Sequence, residues 1–217
     1  MNINNSPALP FSASWILIKL KYSLLLLSVF ALSACTSSPP KNPDNICSTF
    51  VEKRDWIKST RKTHTKWGTP IPVQMAIIYQ ESRFVADAQP PRTRLLGFIP
   101  WFRPTSAYGY PQALDGTWDD YKKHTGRWFA SRSNFADATD FVGWYNHISH
   151  TRLGIPLGDA KQLYLAYHEG HGGFKRKTYL RKKWLLNVAD KVAGRSQMYH
   201  KQMSRCQNDL KGTSWFF

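Results

Sequence analysis

Hydrophobic residues recur along most of the chain at the spacing of amphipathic α-helices. Residues 50–67 mix apolar and charged side chains in this way, and Gly68 is well placed to end the helix that they predict. Pro72 fits the first turn of the next helix, where a missing N–H is tolerated, and residues 73–84 supply a dense apolar face. Glu81 therefore falls in the last turn of a largely buried helix.

The rest of the chain predicts further helices and one long loop. No segment has a convincing strand alternation, so the predicted fold class is mainly α. Residues 87–105 are rich in proline, arginine and aromatic side chains without any period, which predicts an irregular loop. The further helices are a short one over residues 112–121, one capped by Asn134 and reaching residue 150, one capped by Asp159 and ended near residue 167 by Gly170, Gly172 and Gly173, and a long one over residues 179–206.

The first 34 residues have the pattern of an export signal, which the working protein would no longer carry. Two lysines precede an apolar run over residues 22–30, which is too short to span a bilayer. The sequence Leu-Ser-Ala-Cys at residues 32–35 resembles the lipobox of bacterial lipoproteins. This resemblance implies that the signal is removed, that Cys35 is acylated and that three acyl chains anchor the protein. A plain secretory signal, with Cys35 an ordinary cysteine, is the alternative.

The lipobox interpretation sets the domain organisation and the compartment. Thr36, rather than aspartate, follows the cysteine, which by the same resemblance implies the periplasmic face of the outer membrane. Residues 35–46 are polar and proline-rich and are predicted to form a lipidated tether. After the signal at residues 1–34 and this tether, residues 47–217 are expected to form one domain.

The chain has three cysteines, and their use depends on the compartment. Lipidation of Cys35 would leave Cys47 and Cys206 as a pair in an oxidising environment. We therefore expect a Cys47–Cys206 disulfide that joins the start of the domain to its end. Two free buried thiols are the alternative.

The chain is strongly basic, with 30 lysines and arginines against 14 acids and a formal net charge of +16. Loss of the signal removes two lysines and no acid, which leaves +14 on the mature protein. Such a surface attracts polyanions. An exported protein meets peptidoglycan carboxylates and lipid headgroups rather than nucleic acid, so no nucleic-acid partner is expected.

Three short blocks carry the candidate chemistry. They are Gln-Glu-Ser-Arg-Phe at residues 80–84, Ser-Ala-Tyr-Gly-Tyr-Pro-Gln at residues 106–112 and Ala-Tyr-His-Glu-Gly at residues 166–170. Their order and spacing resemble the lytic transglycosylase family related to goose-type lysozyme. The resemblance implies a lysozyme-like α-helical domain with a deep glycan cleft. It also implies a lyase that cleaves the β-1,4 bond between N-acetylmuramic acid and N-acetylglucosamine in peptidoglycan and leaves 1,6-anhydro ends. We expect a monomer that needs no cofactor.

By this resemblance Glu81 is the general acid of the reaction. An acid must hold its proton near neutral pH, and desolvation by neighbours such as Ile77 and Phe84 would raise the pKa of Glu81 enough to do so. In a helix without the other two blocks, an ion pair with Arg83 would be the better interpretation of the same glutamate.

No second carboxylate is predicted opposite Glu81, although most glycosidases use one. The family's chemistry accounts for this, because the substrate's N-acetyl group assists departure and the same glutamate then takes a proton from the C6 hydroxyl. The rejected candidates are Asp87, which lies off the Glu81 helix face, and Asp115, Asp119 and Asp120, which form a solvated helix face.

The resemblance also assigns substrate-binding roles to Ser106, Gln112, Tyr167 and His168. Tyr167 matches the tyrosine whose hydroxyl lies near the acid in the family. His168 stands where the family has asparagine, so it either replaces the hydrogen bonds of that asparagine, titrates near the site or has a structural role. Ser106 could alternatively belong to a turn that caps the following helix.

The histidines predict no metal site. The zinc pattern His-Glu-x-x-His places its two imidazoles one helical turn apart. The sequence His-Glu-Gly-His at residues 168–171 is one residue shorter than this pattern, and a glycine run follows it immediately. His147 and His150 offer two ligands only. A metallopeptidase is accordingly disfavoured.

Residues 92–103 form an aromatic and basic loop that the family pattern does not include. The loop either stacks aromatic side chains on sugar rings as a wall of the cleft or enters the membrane interface beside the lipid anchor. A third interpretation is that it covers the core against Trp128, Trp144 or Trp184.

Two other functions remain open at this point. A lysozyme-type hydrolase would use the same glutamate to activate water. A non-catalytic cell-wall-binding lipoprotein would keep the fold and the basic surface, but the intact Glu81 argues against it.

Overall fold

Helices make up most of the described chain, which confirms the predicted mainly α fold class. The structure is a computed structural model, and it describes residues 38–100 and 102–211. The predicted signal, its lipobox cysteine and Trp101 lie outside the described residues. In chain order the elements are α1 (Ile46–Glu52), α2 (Arg54–Trp67), α3 (Ile71–Ser82), β1 (Arg94–Leu95), β2 (Ile99–Pro100), α4 (Asp115–Thr125), α5 (Phe135–Leu153), α6 (Ala160–Lys175), a 3₁₀ turn (Thr178–Arg181) and α7 (Lys183–Lys211).

The helix ends follow their local capping residues. Gly68 ends α2 in the left-handed region, with φ of 79°, and donates its N–H to the carbonyl of His64 at 2.8 Å. The side chain of Asn134 accepts hydrogen bonds from the first turn of α5, and Asp159 caps α6 in the same way. These predicted ends are confirmed, since a cap depends on a few adjacent residues.

Several predicted boundaries are wrong for backbone reasons. The helix expected over residues 50–67 is two helices, because the backbone leaves helical geometry at Lys53, where φ is −113° and ψ is 68°. The helix expected from residue 112 begins at Asp115, since Gln112 has a φ of 47°. Gly170 kinks α6 but does not end it near residue 167, and the helix continues to Lys175.

Two further differences concern the long loop and the last helix. The loop expected to be irregular contains a small antiparallel hairpin, in which Arg94 of β1 pairs with Pro100 of β2. The last helix begins at Lys183 rather than at residue 179, because the 3₁₀ turn comes first. Although α7 spans 29 residues, neither it nor any other helix of the described chain is apolar enough to cross a membrane.

Helix α3 carries the candidate acid and is buried along most of its length. Every residue from Ile71 to Ile78 is buried. The helix packs against α2, α5, α6 and α7, so it has protein on nearly every side. Full burial of a side chain such as Met75 or Ile77 contributes roughly 1.5–3 kcal/mol relative to an exposed position. The end of α3 is therefore held rigidly inside the helical bundle.

An aromatic cluster fixes the segments that follow α3. The ring of Trp56 stacks on that of Phe135, with 3.7 Å between centroids. Phe84 lies 5.3 Å and Tyr110 5.8 Å from the same Trp56 ring. Phe84 belongs to the sequence block of residues 80–84 and Tyr110 to that of residues 106–112, so this cluster brings two of the three sequence blocks together.

A buried carboxylate joins α2, α4 and α5. Asp140 accepts hydrogen bonds from the Nε1 of Trp67 at 2.8 Å and from the hydroxyl of Tyr121 at 2.7 Å. Lys66 and Arg127 add ion pairs at 3.2 and 3.3 Å. Burial alone would favour the neutral acid, but these bonds lower the pKa of Asp140 below its usual value.

The first and last helices are linked covalently. Cys47 of α1 and Cys206 of α7 form a disulfide with 6.2 Å between their Cα atoms, as the cysteine count predicts. Hydrogen bonds reinforce the link, since Gln202 accepts from the backbone N–H of Ile46 at 2.9 Å and donates to the carbonyl of Asp44 at 2.9 Å. The two ends of the domain therefore meet.

Candidate active site

Glu81 lies at the point where α3 ends. The N–H of Arg83 closes the last turn on the carbonyl of Tyr79 at 2.8 Å, and Arg83 and Phe84 then take left-handed backbone angles. Ser82 is buried, and its hydroxyl donates to the carbonyl of Ile78 at 3.2 Å. The sharp exit from the helix leaves Glu81 on the last turn of a rigid element, as the sequence predicts.

The surroundings of Glu81 suit a carboxyl that keeps its proton. Part of the residue is in contact with solvent. Protein nevertheless surrounds the carboxyl closely, and burial raises its pKa to about 7, while hydrogen bonding with the hydroxyl of Tyr164 acts in the opposite direction. Near neutral pH the group can therefore both donate and accept a proton, which is what an acid and base catalyst requires.

An ion pair does not account for Glu81. The guanidinium of Arg83, the partner that the ion-pair interpretation requires, instead donates to the hydroxyl of Tyr79 at 3.0 Å. In the described part of the chain, no charged side chain contributes to the pKa shift of Glu81. The carboxyl is thus desolvated without a counter-charge, which is costly for stability and typical of functional sites.

Two tyrosines of α6, Tyr164 and Tyr167, lie beside the acid, and Tyr145 of α5 packs against Tyr167. Tyr164 hydrogen-bonds Glu81, and burial together with the nearby carboxylate raises the pKa of Tyr164 above its usual value. The ring of Tyr167 lies 5.1 Å from that of Tyr145, and burial raises the pKa of Tyr145 to about 12. All three hydroxyls therefore remain protonated donors at neutral pH.

The structure gives Tyr164 and Tyr167 different partners. The hydroxyl of Tyr167 donates to the carbonyl of Pro111 at 2.6 Å, although the charge of Glu81 also raises the Tyr167 pKa, so the two lie close together. The hydrogen bond to Glu81 comes from Tyr164, which lies outside the three sequence blocks and was missed. The sequence did place Tyr164 on the same helix face as two predicted site residues, because Tyr164, Tyr167 and His168 have i, i+3, i+4 spacing.

The segment of residues 106–112 is held by backbone contacts. Gly109 donates its N–H to the carbonyl of Ala88 at 2.8 Å, and its φ is 73°. A Cβ at this position would come within 2.3 Å of the carbonyl oxygen of Arg132, so only glycine fits. Gln112 donates its side-chain amide to the carbonyls of Ala88 and Gly109, both at 2.8 Å. Gln112 thus braces this segment, and its predicted contact with substrate stays a prediction.

Ser106 caps the following helix, as the alternative interpretation of this residue predicts. Its hydroxyl accepts a hydrogen bond from the backbone N–H of Asp115, the first residue of α4, at 3.1 Å. The residue is exposed, and its carbonyl accepts from Arg132 at 3.0 Å. A substrate-binding role for Ser106 would have to act beside this structural one.

His168 is exposed at the edge of the tyrosine cluster. Its Nδ1 lies 3.2 Å from the carboxylate of Glu169. Its ring lies 6.5 Å from that of Tyr164 and makes an edge contact with Trp184 at 5.2 Å. The side chain of Glu169 is largely shielded from solvent and pairs with Lys182 at 2.7 Å. The structure therefore places His168 between the partner of the acid and an exposed tryptophan.

The other histidines and acids have structural surroundings. His171 lies 3.0 Å from the hydroxyl of Ser149 and stacks on Tyr145 at 4.5 Å, and burial lowers the pKa of its imidazole. Within residues 38–100 and 102–211, no group of three or more potential ligands is arranged to hold a metal ion. Asp115, Asp119 and Asp120, which were predicted to be solvated, are all exposed, and Asp87 is exposed as well.

The hairpin region displays apolar side chains to solvent. Leu96, Phe98 and Phe102 are all exposed, so these side chains do not cover the core. Trp144 packs instead against Tyr121 and other aromatic rings. The two interpretations that use an exposed hairpin, as a wall of a glycan cleft or as a membrane contact, both stay predictions.

Comparison with known proteins identifies a domain family. A family model described as the transglycosylase SLT domain matches residues 23–206, which is most of the chain and includes all three sequence blocks. The comparisons with curated proteins and with solved structures gave no significant match.

Proposed function

Since the chain belongs to the transglycosylase SLT domain family, we propose that it is a peptidoglycan lytic transglycosylase in which Glu81 is the general acid and then the general base. The observation that carries this proposal is a half-buried glutamate at the end of α3, whose pKa burial raises to about 7. A carboxyl with this pKa is divided between its two protonation states at neutral pH, and the reaction needs each of them in turn.

In the first step the protonated Glu81 gives its proton to the oxygen that links N-acetylmuramic acid to N-acetylglucosamine. The bond from the anomeric carbon to this oxygen breaks, and N-acetylglucosamine leaves with the proton. The carbonyl oxygen of the muramic N-acetyl group bonds to the anomeric carbon, and the positive charge is then shared by the oxygen, carbon and nitrogen of that group. No second carboxylate is needed, in agreement with a Glu81 that has no acidic neighbour contributing to its pKa shift among the described residues.

In the second step the Glu81 carboxylate removes the proton of the C6 hydroxyl. The C6 oxygen attacks the anomeric carbon and displaces the acetamido oxygen, which closes the 1,6-anhydro ring and restores the protonated acid. The hydroxyl of Tyr164 can hydrogen-bond the carboxylate between these steps, which favours the charged form. Tyr167 would hold residue 111 and its neighbours against α6 through its bond to the Pro111 carbonyl.

The test is mass spectrometry of the products that the purified protein releases from peptidoglycan. Products that end in 1,6-anhydromuramic acid, absent with Glu81→Gln, are expected. The matched control is Glu52→Gln, which makes the same substitution at an exposed glutamate. Reducing muramic acid ends would instead identify a hydrolase. Binding without any product would identify a cell-wall-binding protein and overturn the proposal.

We also propose that the protein is a lipoprotein of the outer membrane, anchored through Cys35 on the periplasmic face. The support is the Leu-Ser-Ala-Cys sequence followed by Thr36 and a proline-rich stretch. Cys35→Ala should move the protein from the outer-membrane fraction to the soluble or inner-membrane fraction, and radiolabelled palmitate should no longer be incorporated. An unchanged distribution of the variant would contradict the anchor.

A further inference from the structure

A group of exposed cations lies where α6 passes into α7. We call the five side chains the cationic turn, and all five are exposed. Between Glu169 and Asp190 the sequence has no acidic residue. The members of the cationic turn are Lys175, Arg176, Lys177, Arg181 and Lys183.

The charge of the cationic turn is not neutralised by the surrounding protein. Within the described residues, no carboxylate lies within ion-pair distance of any of its five members. Glu169 is occupied by Lys182, and Asp190 pairs with Lys161 at 2.6 Å. Burial acts to raise the pKa of Glu169, but its bonds to Lys182 and Thr178 hold that pKa below its usual value, so the pair stays ionised.

The segment that carries the cationic turn is tied to α6, the helix that supplies the partner of the candidate acid. The carboxylate of Glu169 accepts hydrogen bonds from both Thr178 and Lys182, which bracket the 3₁₀ turn. Glu169 follows His168, whose ring lies 6.5 Å from that of Tyr164, the partner of Glu81. The Glu169 carboxylate thus holds the segment that carries these cations at the His168 edge of the site.

Two apolar side chains accompany the cations. Leu180 is 59% exposed and Trp184 is 55% exposed, although both lie next to charged residues. Trp184 also touches the ring of His168 at 5.2 Å. Cations interleaved with exposed apolar groups fit a ligand that carries carboxylates on a partly apolar chain.

Resting on the proposed function, we infer that the cationic turn binds the free carboxylates of the peptidoglycan stem peptides, so the enzyme prefers glycan strands whose peptides carry free carboxylates. In intact peptidoglycan the lactyl carboxyl of muramic acid is tied up in an amide bond, so the free carboxylates belong to the peptides. Lysine and arginine bind carboxylates through charge-assisted hydrogen bonds. The peptide would lie along the cationic turn while its glycan lies against Glu81.

The test compares unmodified peptidoglycan with peptidoglycan whose carboxylates have been converted chemically to amides. At low salt the wild-type protein should have a kcat/KM on the unmodified substrate that is about 10-fold higher, mainly through KM. The variant Lys177→Gln/Arg181→Gln/Lys183→Gln should lose this advantage and keep its activity on the amidated substrate. The matched control neutralises three exposed lysines of other segments, Lys62→Gln/Lys123→Gln/Lys201→Gln, and should keep the advantage.

A second measurement separates this inference from the proposed function. Co-sedimentation of Glu81→Gln with each kind of peptidoglycan reports binding without catalysis, and it should favour the unmodified form by a similar factor that shrinks in about 1 M salt. If the wild-type protein released no products while this binding preference remained, the catalytic proposal alone would be overturned. Equal binding of both forms would overturn the inference alone. The inference would also be overturned if Lys177→Gln/Arg181→Gln/Lys183→Gln kept the preference for unmodified peptidoglycan and lost only its binding to phosphatidylglycerol vesicles. The cationic turn would then be a membrane contact.

Discussion

The hydroxyl of Tyr164 is the hydrogen-bonding partner of the Glu81 carboxyl, and the two residues come from different helices, α6 and α3. Glu81 is desolvated, which favours its neutral form, while Tyr164 favours the charged form. The balance between these two effects sets the pH at which the acid loses its proton.

Removal of the Tyr164 hydroxyl should therefore move the pH dependence of activity. Burial raises the pKa of Glu81 to about 7 and the hydrogen bond with Tyr164 lowers it, so Tyr164→Phe should raise it further. The alkaline limb of the kcat/KM profile should move up by about one pH unit. The control is Tyr167→Phe, whose hydroxyl bonds Pro111, and it should lower kcat without moving this limb. If the alkaline limb of the kcat/KM profile lies at the same pH in wild type and Tyr164→Phe, the Tyr164 hydroxyl does not lower the pKa of Glu81.

Glu81→Gln should stabilise the protein in a pH-dependent way. The folded-state pKa is about 7 and the usual value is 4.5, so the folded protein binds more protons between these values and stability is lost as pH rises through 7. Glutamine has no charge to desolvate. The variant should match wild type near pH 4.5 and exceed its free energy of unfolding by roughly 2–3 kcal/mol above pH 8.

Urea unfolding of both proteins at a series of pH values measures this difference. Glu52→Gln serves as the control, because the pKa of Glu52 is lowered by a backbone hydrogen bond from Lys41, and its replacement should give no stabilisation at high pH. If Glu81→Gln raises the free energy of unfolding by the same amount at every pH, the Glu81 carboxyl is not desolvated in the folded protein.

Replacement of Asp140 should weaken the whole bundle. Asp140→Asn keeps the shape of the side chain but removes the charge that Lys66 and Arg127 neutralise. Breaking a buried ionic group in this way costs about 2–4 kcal/mol. Thermal unfolding measures the loss, and Asp120→Asn, at an exposed site of α4, should change stability by less than about 0.5 kcal/mol. Equal melting temperatures for Asp140→Asn and Asp120→Asn would show that the contacts of Asp140 do not stabilise the fold.

Loss of the disulfide should lower stability without abolishing activity. The Cys47–Cys206 bond joins residues that are 159 apart in sequence, and its removal from a small domain typically costs 2–5 kcal/mol. The double variant Cys47→Ser/Cys206→Ser should melt at a lower temperature and, unlike wild type, show no response to reductant. Since Glu81 lies on α3, well inside the bundle, product formation at low temperature should continue. A wild-type melting temperature unaffected by reductant would contradict the prediction.

The sequence predicted the parts of this molecule that depend on local chemistry. Gly68, Asn134 and Asp159 end or begin helices because each bonds backbone groups within a few residues. Glu81 could be placed because the helix before it has a clear apolar pattern and because three blocks occur in a family order. The disulfide followed from the count of cysteines.

The remaining features depend on packing between distant segments. Tyr164 becomes the partner of Glu81 only because α6 lies against α3, and its spacing from Tyr167 and His168 shows a shared helix face but not which residue that face meets. The break at Lys53 lies in a stretch whose residues still have a helical period. Gly170 was expected to end α6 and only kinks it, since glycine weakens a helix without forbidding the next turn.

The covalent link between α1 and α7 also determines how the domain would respond to mechanical load. A pull on the segment before Cys47 is shared between the first and the last helix, because the sulfur–sulfur bond transmits force to α7 directly. The chain between the two cysteines, which includes Glu81, Tyr164 and the cationic turn, is closed into a ring and cannot be drawn out from either end. A pull on the leading segment therefore cannot peel α1 away from α7 while the sulfur–sulfur bond is intact.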